Sequence, residues 1–163
     1  TTVEDAGLNF DEIKLLQELQ KIDALKLKIY AMLSPTEENL EYWYKKGPLK
    51  SERFHIQSVK FYADGALGSR GACLLHSYSD DTTSGLMLID KNSFSISCQK
   101  AFDAGFQVAT HAIGDSAMRL VLDVYGEILK TNNNRRWRIE HSQVVSPNDI
   151  SKFKQFSIVP VIN

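Results

Sequence analysis

The chain has 163 residues and a formal net charge of −1, with 43% hydrophobic and 24% charged residues. This is the composition of a folded globular domain, and it excludes a disordered or collagen-like chain. The balanced charge predicts no nucleic-acid partner. The longest apolar runs fall short of the roughly 20 residues that cross a bilayer, so no membrane partner is expected. The two cysteines lack metal-binding spacing and fit a reducing compartment, which predicts a cytoplasmic protein.

Strand and helix patterns alternate along the whole chain. Apolar and β-branched runs predict strands at 1–4, 27–33, 56–63, 106–112, 137–141 and 157–163. Helical periodicity predicts helices at 10–22, from 34–37 to just before Gly47, and at 90–104, 115–130 and 146–156. Asn9 or Asp11 is the expected cap of the first helix, and Asp115 or Ser116 that of the fourth. Residues 67–85 show no periodicity, which indicates either a functional loop or a misassigned element. Asp5-Ala6-Gly7 predicts a turn after the first strand, and Pro35 is expected just inside the first turn of the second helix. The simplest role of Trp43, Trp137 and the tyrosines is packing.

Consecutive strand–helix units imply parallel strands with right-handed crossovers. Two architectures satisfy this pattern: a doubly wound open sheet, and an arc of a (β/α)8 barrel. No glycine-rich phosphate loop follows the first strand, which disfavours a nucleotide-binding open sheet. A sugar-phosphate barrel enzyme is disfavoured for a similar reason, because no glycine-rich phosphate site lies near the last strands.

Polar residues lie at or near the carboxyl ends of several predicted strands, where α/β proteins place their sites. They are Glu4, Asp5, Lys60, His111, Glu140 and His141. Two imidazoles on neighbouring strands could share one metal ion. A lysine within an apolar strand needs a partner or a modification, since a buried ammonium is costly. The alternative is structural: hydrogen-bonded histidines, and a Lys60 that points outward or pairs with Asp64 or Glu140.

Three segments resemble signature segments of the amidohydrolase superfamily: VKFYADGALGSR at 59–70, THAIGD at 110–115 and RIEHSQ at 138–143. Within this superfamily, the segments resemble the branch that contains N-substituted formamide deformylase. The resemblance implies an α/β fold, an incomplete TIM (β/α)8 barrel whose strands correspond to the second through the seventh. It also implies a divalent metal, zinc in the first instance, with one or two ions in the full-length enzyme. Iron, manganese and nickel also suit such ligands.

The resemblance assigns roles residue by residue. His111 corresponds to the metal ligand of the fifth barrel strand and His141 to that of the sixth. Lys60 corresponds to the bridging residue of the fourth strand, where carboxylation by CO2 would make it an anionic ligand. Arg70 and Asp64 are the expected substrate-binding residues. The implied reaction is hydrolysis of an amide-like C–N bond in a small molecule by a metal-activated water.

The chain also departs from the family pattern. It contains no His-x-His pair, and no Asp follows its last strand to act as general base. We therefore expect residues 1–163 to be an internal fragment of the barrel domain, without the first and last strands and the β-sandwich, and inactive alone. The alternative is a catalytically dead α/β fragment with a structural or binding role. Open edges and apolar inner faces, at Val3, Ile29, Phe61 and Val159, predict a homodimer or other self-association.

Overall fold

The computed structural model describes residues 1–162, in which strands and helices alternate. In chain order the elements are β1 (Thr2–Leu8), α1 (Phe10–Lys21), β2 (Lys28–Leu33), α2 (Glu37–Lys46), β3 (Leu49–Lys50), β4 (Phe54–Tyr62), α3 (Lys91–Asp103), β5 (Gln107–Ala112), α4 (Asp115–Leu129), β6 (Arg138–His141), α5 (Ile150–Gln155) and β7 (Val159–Ile162). The described part of the chain includes no helix with the length and apolar character of a membrane span.

The chain divides into two compact units. Unit 1 consists of Thr1–Phe61 and Lys100–Val108, and unit 2 consists of Tyr62–Gln99 and the chain from Ala109 onward. The boundary falls within β5, whose first two residues belong to unit 1 and whose remaining four belong to unit 2.

In unit 1, β1 pairs in parallel with β2, and β2 pairs in parallel with β4. The short β3 runs antiparallel to β4. Helix α1 begins with a capping box: the Asn9 side chain accepts from the Glu12 amide at 3.0 Å, and the Glu12 carboxylate accepts from the Asn9 amide at 2.8 Å. Ile13 from α1 and Trp43 from α2 are buried, so each helix contributes its apolar stripe to the core of this unit.

In unit 2, β5 pairs in parallel with β6, and β6 pairs in parallel with β7. Tyr125 of α4 anchors this sheet. Its hydroxyl lies 2.7 Å from Thr110 Oγ1 and donates to the Arg138 carbonyl at 3.2 Å. Its ring packs edge-on against Trp137, with the centroids 4.8 Å apart. Burial raises the pKa of Tyr125, so the hydroxyl stays protonated and serves as a donor. These contacts hold α4 against β5 next to His111 and against the start of β6.

The predicted alternation is confirmed. The differences lie at element boundaries and in the short antiparallel β3, which the sequence did not predict. β1 runs to Leu8, so the turn expected at 5–7 is wrong: the strand continues its pairing with β2 and absorbs Gly7, at a φ of 104°, as an irregularity. α2 is capped by Thr36 and begins at Glu37, so Pro35 lies ahead of the helix rather than inside its first turn. α5 begins at Ile150, four residues later than expected.

The start of α4 also differs from the prediction. α4 is capped by Gly114 without a side-chain hydrogen bond, and Asp115 is its first residue, not its cap. The Asp115 carboxylate instead accepts from the Leu75 amide at 2.8 Å and so holds the loop after β4. The predicted last strand included Asn163, which lies outside the described residues. The prediction that 67–85 form a loop is confirmed, and Trp43 and Trp137 are buried as predicted.

Candidate functional site

His111 and His141 meet at the carboxyl ends of β5 and β6. Their ring centroids are 4.6 Å apart and their planes cross at 71°. Both side chains are partly exposed. Two imidazoles in contact at the end of a parallel sheet are the arrangement predicted from the strand ends, and both residues belong to unit 2.

The contact depends on an unusual backbone at the end of β6. In the register of the two strands, His111 lies opposite Glu140, and His141 lies opposite Ala112. Regular alternation would therefore direct His111 and His141 to opposite faces of the sheet. Instead, His141 has a φ of 77° and Ser142 a φ of 43°. Left-handed conformations at two successive non-glycine residues are strained, and strain of this kind concentrates at functional sites.

The surroundings of His111 favour one neutral tautomer. Nε2 of His111 lies 3.3 Å from the carbonyl oxygen of Gly65 and 3.6 Å from Oδ1 of Asp64. A neutral imidazole carries its proton on one nitrogen, and a nitrogen that faces two oxygen acceptors is the one that donates. Protonation at Nε2 leaves the lone pair of the neutral imidazole on Nδ1.

Asp64 lies next to His111, and its carboxylate is buried. Its side chain is 0% exposed, and it accepts three backbone hydrogen bonds, from Cys73, Ile113 and Gly114 at 2.8 to 3.0 Å. Charge-assisted bonds of this kind compensate a buried carboxylate. The contact with substrate that the sequence predicted for Asp64 would require this carboxylate to become exposed.

Lys60 lies in unit 1, near the end of β4, and is buried. Its Nζ donates to the carbonyl of Phe61 at 3.3 Å. A buried ammonium needs a partner for its charge or a modification that removes it. Its role as a metal ligand stays a prediction from the resemblance.

Arg70 is held within its own loop. Its guanidinium pairs with Asp80, lies 3.9 Å from Asp81 and stacks 5.2 Å from the centre of the Tyr78 ring. The backbone of Arg70 is left-handed, with a φ of 58°. These contacts order the loop between β4 and α3. The predicted role of Arg70 in substrate binding stays a prediction, and it would require the guanidinium to exchange an acidic partner for the substrate.

The sequence indicates Glu140 as a polar strand-end residue but not its ion pair, and it predicts only packing for the tyrosines. Tyr62 is in fact 47% exposed, and its ring centre lies 5.7 Å from that of His111. Arg138 and Glu140 form an ion pair at 2.8 Å on the strand that follows His111 in the sheet. Since Glu140 lies opposite His111, this pair shares the face of the sheet with it. The two-residue alternation of β6 was the available signal for the pair.

The histidine pair fits part of a metal site. Within residues 1–162 no group of three or more His, Cys, Asp or Glu side chains is placed to hold an ion. Catalytic zinc takes three protein ligands and keeps one position open. His111 and His141 therefore fit as two ligands of a larger set.

The chain is similar to known proteins over its described length. The sequence profile of the Amidohydrolase family matches residues 1–162. Protein LONG AFTER FAR-RED 3 of Arabidopsis thaliana is 32% identical over 162 residues, which cover 98% of this chain and 28% of that protein. Putative amidohydrolase YtcJ of Bacillus subtilis strain 168 is 36% identical over 109 residues, covering 66% of this chain and 20% of that protein.

The backbone of the chain is also similar to that of a solved structure. The crystal structure of an uncharacterized metal-dependent hydrolase from Pyrococcus furiosus superposes with a TM-score of 0.87 at 32% identity, over 97% of this chain and 33% of that one. This confirms the predicted fold class, α/β with the parallel strands of an incomplete TIM barrel. The chain thus spans between 20% and 33% of the length of these proteins. With the family profile matched from residue 1 to residue 162, the chain belongs to the Amidohydrolase family.

Proposed function

We propose that the chain is part of a metal-dependent amidohydrolase that cleaves an amide-like C–N bond of a small molecule with a metal-activated water. Zinc is the proposed metal, as one or two ions, and the branch of N-substituted formamide deformylase is the proposed relationship. A cytoplasmic location belongs to the same proposal. The observation that carries it is the contact between His111 and His141, whose ring centroids lie 4.6 Å apart at neighbouring strand ends.

The chain's own residues would hold the metal and orient it. The left-handed turn at residues 141 and 142 directs the His141 imidazole toward His111. The oxygen acceptors around Nε2 of His111 favour a proton on that nitrogen, so Nδ1 is the proposed ligand atom. A divalent metal held there would polarise the scissile carbonyl and lower the pKa of water. Tyr62, exposed beside His111, offers an aromatic surface to the substrate.

Lys60 is proposed as a further metal ligand and Arg70 as a substrate contact. Lys60 would serve as a further ligand after carboxylation, in which the ammonium first loses a proton and the neutral amine then adds to CO2 and releases a second proton, so that a carbamate anion replaces the ammonium. Its burial supports this role, since a buried ammonium is costly. Arg70 would contact the substrate from the loop that it shares with Asp80 and Asp81.

The 163-residue chain by itself is proposed to be inactive. Only two histidines converge in the described residues, and catalytic groups that act as a unit lose most of their effect when some are missing. The competing hypothesis, a catalytically dead α/β protein, makes a different prediction for the full-length enzyme, because it expects neither metal dependence nor turnover.

The test is hydrolysis of a series of N-formyl and N-acyl amines by the full-length enzyme. We expect turnover that a chelator abolishes and zinc restores. His141→Ala should lower kcat/KM by at least about a hundredfold, since it removes a ligand rather than a supporting group. His76→Ala is the matched control, because His76 is an exposed histidine of the loop after β4. Turnover that resists chelation, or equal effects of the two substitutions, would contradict the proposal.

A further inference from the structure

We propose that Asp64 is a positioning residue for His111: it fixes the Nε2-protonated tautomer and the ring orientation from below, rather than contacting substrate. The inference rests on the proposed function only in taking His111 as a metal ligand. The carboxylate itself is fully buried, with a side-chain exposure of 0%.

The segment that follows β4 contacts His111 at three successive residues. The Ala63 amide donates to the His111 carbonyl at 2.8 Å, which fixes the backbone. Oδ1 of Asp64 lies 3.6 Å from Nε2, which is beyond a hydrogen bond but close enough for the carboxylate charge to favour an N–H over a lone pair at that nitrogen. The Gly65 carbonyl oxygen lies 3.3 Å from the same nitrogen. Both acceptors therefore favour a proton on Nε2 and repel a lone pair there.

Backbone amides hold the Asp64 carboxylate in place. Oδ1 accepts from the Ile113 amide at 3.0 Å, and Oδ2 accepts from Gly114 at 2.8 Å and from Cys73 at 2.9 Å. Ile113 and Gly114 follow His111 by two and three residues. The carboxylate thus connects the loop after β4 to the turn between β5 and α4, with its position set by both.

If Asp64 only held the loop in place, its three backbone hydrogen bonds would suffice. Its carboxylate would not need to lie 3.6 Å from Nε2 of His111. Asp115 provides the comparison. Its carboxylate anchors the same loop by accepting from the Leu75 amide at 2.8 Å. Asp115→Asn is therefore a matched control: its amide oxygen can still accept from Leu75, and it removes a carboxylate charge from a residue that contacts the same loop without changing the surroundings of Nε2 of His111.

Asp64→Asn is the informative substitution because it keeps the shape and removes the charge. An amide has one acceptor oxygen, so its NH2 group must face either the Ile113 amide or the amides of Cys73 and Gly114. In either orientation the negative charge near Nε2 is lost. We expect a mixture of His111 tautomers and a zinc affinity lower by about 10- to 100-fold, the usual effect of losing a group that supports a metal ligand.

The experiment uses the full-length enzyme with 15N-labelled histidine, and His111→Gln assigns the signals. In the metal-free wild type, long-range 1H–15N spectra should show His111 protonated at Nε2. Asp64→Asn should shift this equilibrium and weaken zinc binding measured by calorimetry, while Asp115→Asn should leave both close to wild type.

Two results would overturn the inference. One is a His111 protonated at Nδ1 in the wild type, which is decisive even where Asp64→Asn does not fold. The other is an Asp64→Asn variant whose His111 spectrum and zinc affinity match those of Asp115→Asn. Failure of the wild type to bind zinc is distinguishable from both, because it contradicts the proposed function and leaves the tautomer measurement valid.

Discussion

Gly114 lies where the turn after β5 passes closest to the loop after β4, and replacing it with alanine should be severely destabilising. Its φ of −79° is one that any residue adopts, so the position requires space rather than a special conformation. A Cβ built there would lie 2.0 Å from the carbonyl oxygen of Cys73, and 2.4 and 2.6 Å from its carbonyl carbon and amide nitrogen. These are backbone atoms, which cannot rotate away as the end of a side chain can.

The magnitude follows from the distance. To reach an ordinary contact near 3.4 Å, Cys73 and Gly114 must separate by about 1.4 Å. Both donate to the same Asp64 oxygen, so this separation breaks at least one of the two bonds. Overpacking costs about 1–3 kcal/mol, and a lost hydrogen bond to a charged group costs about 1.5–3 kcal/mol. We expect Gly114→Ala to lower the free energy of unfolding by about 3 kcal/mol or more.

Urea unfolding of the full-length enzyme measures this change. With a urea dependence of about 1–3 kcal/mol per M, the midpoint should fall by about 1 M or more. Gly68→Ala is the matched control, because Gly68 belongs to the same loop and a Cβ there meets nothing within 4 Å. Equal urea midpoints for Gly114→Ala and Gly68→Ala would contradict the close approach of Gly114 to the backbone of Cys73.

Three further predictions test other parts of the account. Burial opposes ionisation of Asp149, but hydrogen bonds from Lys152 and Arg119 outweigh it and lower its pKa below 3.8. Its stabilisation is therefore complete above that value and lost as the pH falls through the lower folded pKa. Asp149→Asn should remove this acid-labile part of the unfolding free energy, measured by urea midpoints between about pH 5 and pH 2. A thiol reagent should label the half-buried Cys73 in the native protein, but Cys98 only after unfolding, because Cys98 is buried and burial raises its pKa. The isolated chain should self-associate in a light-scattering dilution series, since edge residues such as Val3 and Ile162 are 41% and 77% exposed; a monomer at every concentration would refute this.

The alternation of elements was predictable because local patterns determine it. Apolar runs and helical stripes gave each of the parallel strands and helices, and the errors came from competing local signals. Asp5-Ala6-Gly7 has the composition of a turn, yet pairing with β2 carries the strand through it. Pro35 has the position of a helix start, yet Thr36 provides the cap.

The histidine pair was predictable from its motifs, but its geometry was not. Alternation along β6 places His141 on the face opposite to that of His111, and neither His141 nor Ser142 is a residue type that signals the left-handed backbone found there. The surroundings of Asp64 were beyond prediction for the same reason. Its hydrogen-bond donors lie 9, 49 and 50 residues away along the chain, so nothing local distinguishes a buried support from a residue that meets substrate.

Anomalous diffraction at the zinc edge, on crystals of the full-length enzyme grown with zinc, tests the central claim most directly. The claim is that His111 and His141 bind the same ion. The account predicts an anomalous peak that Nδ1 of His111 and a ring nitrogen of His141 both approach at about 2.0–2.1 Å, the usual zinc–nitrogen distance. A bound zinc that contacts neither imidazole, or only one of the two, would contradict it.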